Sequence, residues 1–220
     1  MRKYNVAVVG ATGIVGSTLI SILEQRHFPV EYLFPLASSR SLGATVTFQN
    51  KELNVDELTT FDFSDADIVF FCAGSSVSKS YAPLAVEAGC LVIDNSSQFR
   101  YDDNIPLIIP DVNGDVLDRS DFSQIIANPN CSTIQMLVAL KPIYDAFGIS
   151  RIDVATYQSV SGAGHDAIEA LARQTAAILS GQGSEIFDDE NDGSEESLSQ
   201  PSSVDMRPPI AFNVVPHIDA

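Results

Sequence analysis

Near its N-terminus the chain reads Val6-Ala7-Val8-Val9-Gly10-Ala11-Thr12-Gly13-Ile14-Val15-Gly16. The apolar run favours a buried strand, and glycines three residues apart favour a tight turn after it. Val15, Leu19, Ile22 and Leu23 then share one face of a helix. This order is typical of dinucleotide binding, because glycines let the backbone approach the pyrophosphate and the helix N-terminus points at it. The alternative is a tight strand–helix turn without a ligand.

Short apolar segments alternate with helical ones through the rest of the first half. The predicted strands are 4–9, 31–37, 67–72, 90–94, 107–109 and 124–127, and the predicted helices are 14–26, 77–88 and 132–147. Such strands between helices are typical of a parallel sheet covered on both faces. Residues 151–158 alternate polar and apolar side chains, which predicts a strand of a different, half-exposed sheet.

These patterns predict an α/β fold class. Residues 1–130 are expected to form a Rossmann-type, doubly wound parallel sheet. Residues 131–220 are expected to begin a second, α+β domain for catalysis or dimerisation.

The composition excludes several classes of protein. The 220 residues carry a formal net charge of −17, and nucleic acids and anionic membranes need a basic surface, so we expect neither as a partner. Apolar residues make up 45% of the chain, yet no apolar run approaches the ~20 residues that span a bilayer. Because the N-terminus leads directly into the first strand, we expect no signal peptide and a cytoplasmic protein.

The acidity is concentrated in one segment. Glu185 to Glu196 holds seven carboxylates and no basic residue, and glycine and serine surround it. This composition predicts a mobile acidic loop over about 181–209. The spacing of the carboxylates does not match a calcium loop, and no metal site is predicted.

One cysteine stands where an extended run gives way to a helical one, in Asn128-Pro129-Asn130-Cys131-Ser132-Thr133. Residues 124–127 precede it, and Ile134, Leu137 and Val138 follow at helical spacing. A thiol in the first turn of a helix lies near the positive end of the helix dipole and near unpaired N–H groups. Both favour the reactive thiolate, and the N–H groups can hold an oxyanion. The alternative for Cys131 is a small buried hydrophobe.

The other two cysteines are expected in the core. Cys72 ends one predicted strand and Cys90 opens another. An odd number of cysteines without a close pair argues against a disulfide framework or a cysteine-based metal site.

The end of the second strand indicates which nicotinamide cofactor is used. NAD-binding folds usually place an acidic residue there for the ribose 2′-hydroxyl. This chain instead has Leu36-Ala37-Ser38-Ser39-Arg40-Ser41, whose hydroxyls and guanidinium suit a 2′-phosphate. The stretch predicts NADP, and an ordinary polar turn is the alternative.

Five motifs then carry a resemblance to one family. They are Gly10-Ala-Thr-Gly-Ile-Val-Gly16, Ala73-Gly-Ser-Ser76, Asp94-Asn-Ser-Ser-Gln-Phe-Arg100, Asn128-Pro-Asn-Cys-Ser-Thr-Ile-Gln135 and Thr156-Tyr-Gln-Ser-Val-Ser-Gly-Ala-Gly164. In this order they resemble aspartate-semialdehyde dehydrogenase of the bacterial kind, over most of the chain. N-acetyl-glutamyl-phosphate reductases are related but usually carry Gly-Cys-Tyr-Pro at the cysteine. Glyceraldehyde-3-phosphate dehydrogenases have a similar Ser-Cys-Thr-Thr site in a different surrounding sequence.

The resemblance implies an oxidoreductase of amino-acid biosynthesis. NADPH would reduce L-aspartyl 4-phosphate to L-aspartate 4-semialdehyde and phosphate, a step that feeds diaminopimelate, lysine, methionine and threonine synthesis. Cys131 would be the nucleophile that forms a thioester, and Gln158 would orient the substrate or thioester. Arg100 and Asn130 would contact the phosphate or carboxylate. A surface ion pair for Arg100 and a sheet-edge place for Gln158 are the alternatives.

The resemblance also implies a cofactor site and a partner. The residues that would line the NADP site are Gly10, Thr12, Gly13, Ile14, Val15, Gly16, Ser38, Arg40, Ser41, Gly74, Ser75, Ser161 and Gly162. The second domain would join two copies as a homodimer.

One departure concerns the acid/base histidine that the family uses. His27 is expected at the surface or as a cap, His165 is a weak candidate, and His217 does not match the family's catalytic position. The chain therefore resembles the N-terminal two-thirds of a longer enzyme, and alone it is expected to be inactive. An N-acetyl-glutamyl-phosphate reductase type and a truncated or silent paralogue that only binds dinucleotide are the alternatives. The retained Cys131 argues against a silent paralogue.

Overall fold

The structure is a computed structural model that describes residues 2–118, 124–181 and 209–216. It falls into two compact units, Met1–Thr156 and Tyr157–Ala220, and each is described by itself. The domain boundary expected after residue 130 stays a prediction. Nearly all of the acidic loop predicted over 181–209 lies outside the described residues.

Strands and helices alternate in the first unit, as the sequence predicts. The strands are β1 Tyr4–Val9, β2 Val30–Ala37, β3 Thr45–Phe48, β4 Lys51–Asn54, β5 Asp56–Glu57, β6 Ile68–Phe71, β7 Leu91–Asp94 and β8 Ile125–Ala127. The α-helices are α1 Ile14–Gln25, α2 Ser75–Glu87, α3 Pro110–Asn113, α4 Cys131–Phe147 and, in the second unit, α5 His165–Leu179.

Six strands form one parallel sheet in the order β5-β2-β1-β6-β7-β8. β1 lies between β2 and β6, so the chain winds away from it in two directions. The crevice at the carboxyl ends of β1 and β6 is thus the topological switch point, where ligands bind in open α/β sheets. The Rossmann-type α/β class is confirmed.

Apolar side chains of successive β1 residues enter two different cores. Val6 and Val8 pack with Ile20 and Leu23 of α1, and Phe48 of β3 closes the same cluster. On the opposite face, residues of β1, β2 and β6 pack with α2 and the start of β7; they are Ala7, Val9, Leu36, Val69, Phe71, Ala82, Ala85 and Cys90. The alternation of strand side chains therefore covers both faces of the sheet, as its apolar strands require.

The hairpin of β3 and β4 is not among the predicted elements. The two strands are antiparallel, and Phe48 pairs with Lys51 across a two-residue connection. Both connecting residues have positive φ, 50° at Gln49 and 59° at Asn50. Two-residue hairpins require this conformation, and asparagine tolerates it better than most residues. The polar pair Gln49-Asn50 between two alternating runs is therefore the feature of the sequence that indicates this hairpin.

Two predicted strands are wrong. Residues 107–109 form only a single bridge, from Leu107 to Ala127, because the ladder cannot continue. The backbone N–H of Ile109 donates to Asn113 Oδ1 at 2.8 Å, and Pro110 begins α3. Residues 151–158 have no strand conformation and are exposed. Alternating side chains form a strand only beside a partner strand, and within the described residues this segment belongs to neither sheet.

Within the described part of the chain, no helix combines the length and the apolar character needed to cross a membrane.

Candidate active site

The glycine turn joins β1 to α1 at the switch point. The backbone N–H groups of Gly10 and Ala11 donate to the Leu36 carbonyl at 2.8 and 3.1 Å. Gly10 has a φ of +84°, and a Cβ there would lie 2.8 Å from the Cys72 carbonyl oxygen. A Cβ on Gly16 would collide with the Gly10 carbonyl oxygen. Backbone proximity alone therefore explains these two glycines.

The free backbone N–H groups at the start of α1, which follows this turn, also fit a phosphate group. The N-cap of α1 is Gly13, which has no side chain to occupy the free N–H groups of the first turn. No acidic residue lies in that first turn. An uncapped helix start of this kind favours an anion.

The end of β2 lies beside the glycine turn, as predicted. A short 3-10 helix, Ser39–Ser41, follows β2, and Ser41 Oγ lies 3.2 Å from Thr12 Oγ1. The Ser38 and Arg40 side chains are exposed. The sequence analysis missed one neighbour, because β5 pairs with β2 and places Glu57 opposite Ala37. The sequence does not indicate this neighbour, because Glu57 lies beside the end of β2 only through the pairing of β5 with β2.

A second uncapped helix start adjoins the crevice from β6. The N-cap of α2 is Gly74, with φ −70°, and a Cβ built on it meets no atom within 4 Å. Neither backbone angle nor packing requires glycine here, so a close approach by a ligand would account for it. Ser75 Oγ lies 3.0 Å from Ser97 Oγ, which links this helix start to the loop after β7.

Cys131 is the first residue of α4, one residue earlier than predicted. Asn130 is the N-cap, and its Oδ1 accepts hydrogen bonds from the backbone N–H and hydroxyl of Ser132 at 3.0 and 2.8 Å. The Cys131 thiol lies 3.7 Å from the same oxygen and is exposed. An accessible thiol at a helix start is able to act as a nucleophile. The alternative of a buried small hydrophobe is wrong.

Arg100 holds the loop after β7 to the segment before Cys131. Its Nε donates to the Asn128 carbonyl and its Nη2 to the Asn95 carbonyl, both at 3.0 Å. Asn128 Nδ2 in turn donates to Asn95 Oδ1 at 2.9 Å. The half-buried guanidinium therefore lies at the carboxyl ends of β7 and β8, two residues from the Asn130 cap. Two of its five N–H groups make these bonds, which leaves donors for an anion.

The other two thiols are held in unreactive surroundings. Burial raises the pKa of Cys72 to about 12, although a hydrogen bond from Asn95 partly opposes it. Burial also raises the pKa of Cys90 to about 11, and its Sγ donates to the carbonyls of Phe63 and Ala66 at 3.1 and 3.2 Å. At neutral pH both remain thiols rather than thiolates.

We expect iodoacetamide to modify Cys131 first in the native protein. Cys131 is exposed, whereas the other two thiols have raised pKa values and little access to solvent. Peptide mass spectrometry at pH 7 should find Cys131 labelled at least about tenfold faster than either. Labelling of all three at one rate in native protein, as in denaturant, would contradict this assignment.

The second unit holds the remaining predicted residues. Gln158 is exposed in the segment without strand conformation, and Ser161 and Gly162 lie in a 3-10 helix, Val160–Ala163, that Ser159 caps. His165 begins α5. His27 has a positive φ of 52° just after α1, in keeping with a surface or capping place, while His217 lies outside the described residues. Among the described residues, no cluster of three or more His, Cys, Asp or Glu could hold a metal.

Comparison with known proteins matches two family domains to this chain. Residues 5–120 match the semialdehyde dehydrogenase NAD binding domain, and residues 140–220 match the semialdehyde dehydrogenase dimerisation domain. Aspartate-semialdehyde dehydrogenase of Shewanella violacea is 55% identical over 218 residues, which are 99% of this chain and 60% of that protein. The chain thus spans about three-fifths of the length of this relative.

Solved structures agree in fold. Aspartate semialdehyde dehydrogenase II from Vibrio cholerae, complexed with ASA, superposes with a TM-score of 0.84 at 49% identity, over all of this chain and 60% of that one. The Candida albicans aspartate semialdehyde dehydrogenase with NADP has a TM-score of 0.57 at 27% identity, over 67% of this chain and 48% of that one. The resemblance found in the motifs is confirmed, and the chain belongs to the semialdehyde dehydrogenase family.

Proposed function

We propose that this chain carries the cofactor site and the nucleophile of an NADP-dependent aspartate-semialdehyde dehydrogenase. The reaction is the reduction of L-aspartyl 4-phosphate to L-aspartate 4-semialdehyde and phosphate, for diaminopimelate, lysine, methionine and threonine synthesis. The observation that carries the proposal is the exposed Cys131 thiol at the start of α4. The segment just before it is held by Arg100 at the carboxyl end of a dinucleotide-type sheet. Relatives that match nearly the whole of this chain bear this enzyme name.

The chemistry assigned to this chain begins at Cys131. Its thiolate attacks the acyl carbon, the carbon–oxygen bond to phosphate breaks, and inorganic phosphate leaves with the bonding electrons, so a thioester remains. Backbone N–H groups in the first turn of α4 that Asn130 does not bind would hold the developing oxyanion. Arg100 binds the phosphate or the carboxylate with the donors that its backbone bonds leave over. Asn130 fixes the helix start and lies next to the leaving phosphate.

The residues at the switch point fit a dinucleotide. The two uncapped starts of α1 and α2 would receive the pyrophosphate, and Thr12 and Ser75 would add hydroxyls. Ser38, Arg40 and Ser41 would bind the 2′-phosphate. NADPH supplies the hydride when it is bound.

The rest of the assignment follows the family. By the resemblance, Gln158 would orient the substrate, and Ser161 and Gly162 would bind the nucleotide. The match to a dimerisation domain supports a homodimer, and we place the enzyme in the cytoplasm. Since this chain covers 60% of its relative's length, we expect it alone to be inactive.

The test is phosphate-dependent reduction of NADP with L-aspartate 4-semialdehyde, measured at 340 nm. It should be run on this chain and on the full-length product of its gene, with N-acetyl-L-glutamate 5-semialdehyde as the competing substrate. Turnover of the full-length product with aspartate semialdehyde alone supports the proposal. Preference for the acetylated substrate, or dinucleotide binding without turnover, would replace it with one of the two alternatives.

Arg40→Ala should weaken NADP binding far more than NAD binding. A charge-assisted contact to the 2′-phosphate contributes about 1.5–3 kcal/mol, so the NADP dissociation constant should rise roughly 10- to 100-fold. Fluorescence titration of both cofactors measures the difference. Lys51→Ala, which removes a cation from the β3–β4 hairpin instead, is the matched control. Equal weakening of NAD and NADP would show that Arg40 does not contact the 2′-phosphate.

A further inference from the structure

One buried carboxylate, that of Asp94, contacts both α2 and the loop after β7 that leads to Arg100. Asp94 ends β7, and its side chain is fully buried with 0% exposure. Aspartate is almost never fully buried unless it is paired. Its described partners are hydroxyl and backbone groups rather than cations, so it does not serve as one half of a buried ion pair.

The carboxylate bridges two structural elements. Asp94 Oδ1 accepts the Ser78 hydroxyl at 2.7 Å and the Ser96 backbone N–H at 3.1 Å, and Oδ2 accepts the Ser96 hydroxyl at 2.7 Å. Ser78 is fully buried near the start of α2. Ser96 lies in the loop after β7, where its Oγ also accepts the Gln98 N–H at 3.1 Å. One side chain therefore fixes the start of α2 to this loop.

Both of these elements lead to residues assigned above. α2 begins one residue after Gly74, three residues before Ser78. The loop leads to Arg100, which holds the Asn128 carbonyl, and the Asp94 carbonyl itself accepts the Asn128 N–H at 2.8 Å. We propose that Asp94 is a positioning residue that fixes the dinucleotide end of α2 relative to the Arg100–Asn128 contact beside Cys131. This inference rests on the proposed function for its kinetic consequences.

Only a carboxylate satisfies this arrangement. Both of its oxygens accept hydrogen bonds, and three donors converge on them. Asparagine has nearly the same shape but turns one acceptor into a donor. The Ser96 hydroxyl could then accept a hydrogen bond from the new amide. Its own hydrogen would, however, have lost Asp94 Oδ2 as its acceptor. Asp94→Asn should therefore loosen the bridge while it preserves the volume of the side chain.

The first experiment compares Asp94→Asn with Asp67→Asn in the full-length product. Asp67 is a matched control, since its carboxylate also accepts a backbone N–H, that of Asn5 at 2.8 Å, but at the opposite end of the sheet. Asp94→Asn should lower kcat/KM on the order of 10- to 100-fold and raise KM for both NADP and phosphate. Asp67→Asn should change neither KM by more than about twofold. Equal kinetics of the two variants would overturn the proposal.

The second experiment cuts one side of the bridge at a time. Ser78→Ala frees only α2 and should raise KM for NADP about threefold or more, with KM for phosphate unchanged. In an Arg100→Lys background, Asp94→Asn should lose most of its effect on KM for phosphate, because the contact it positions is already altered. An unchanged KM for NADP in folded Ser78→Ala overturns the proposal even if Asp94→Asn does not fold. So does an undiminished phosphate effect in the Arg100→Lys background.

Failure of the proposed function is distinguishable from failure of this inference. An inactive wild-type enzyme would reject the proposed reaction. Fluorescence titration with NADP then decides the role of Asp94, because wild type should still bind more tightly than Ser78→Ala and Asp94→Asn. Identical dissociation constants for the three proteins would overturn the inference.

Discussion

Cys131→Ala should abolish turnover of the full-length product and leave NADP binding nearly unchanged. The thiol is the atom that forms the thioester, and alanine offers no substitute nucleophile. We expect kcat to fall by at least roughly 10³-fold in the phosphate-dependent assay, as happens when other enzymes lose their nucleophile. Asn130 and Ser132 still cap α4 in this variant, so the helix start itself should persist.

Two comparisons make this expectation specific. Cys72→Ala removes the thiol of a residue whose backbone carbonyl adjoins the glycine turn. Its activity should stay within a few-fold of wild type because burial keeps that thiol protonated. Rapid-quench mass spectrometry with L-aspartate 4-semialdehyde and NADP but no phosphate should find an acyl adduct on Cys131 in wild type, because NADP accepts the hydride and no phosphate removes the acyl group. Cys131→Ala should show no adduct. Substantial residual turnover in Cys131→Ala would exclude a covalent mechanism through this residue.

The parallel sheet was predictable because its strands are buried on both faces. Val6 to Val9 and Ile68 to Phe71 are apolar without interruption, and only a strand covered by helices on each side accommodates such a run. The start of α4 was predictable for a local reason as well. Ser132 and Thr133 are typical of a helix start and asparagine is a preferred N-cap residue, so the position of Cys131 follows from the residues beside it.

The features that the sequence analysis missed depend on contacts between distant residues. Arg100 reaches Asn128 only because β7 and β8 are neighbours in the sheet, and Glu57 reaches the end of β2 for the same reason. The Asp94 bridge likewise needs α2 packed over β7 before three donors can meet one carboxylate. The strand predicted over 151–158 is wrong for the converse reason: alternation predicts a partner strand, and within the described part of the chain this segment belongs to neither sheet.

Gly10→Ala should strongly lower the free energy of unfolding. Two costs combine there: a φ of +84°, and a Cβ 2.8 Å from the Cys72 carbonyl oxygen and 3.2 Å from the Ala73 nitrogen. The backbone angle costs about 1–2 kcal/mol for a residue with a side chain. The collision falls on backbone at the centre of the sheet, which cannot rotate away, so the total should reach about 4 kcal/mol or more.

Gly43→Ala separates the two costs. Gly43 has a φ of +87°, almost the same angle, but a Cβ there meets no atom within 4 Å. Its free energy of unfolding should therefore fall by only about 1–2 kcal/mol in urea titration, the cost of the angle alone. The difference between the two variants then measures how closely β1 and β6 approach at the switch point. If Gly10→Ala costs no more than Gly43→Ala, the backbone of the turn yields easily, and packing would not be the reason for glycine at this position. The positive φ of +84° alone would then account for Gly10.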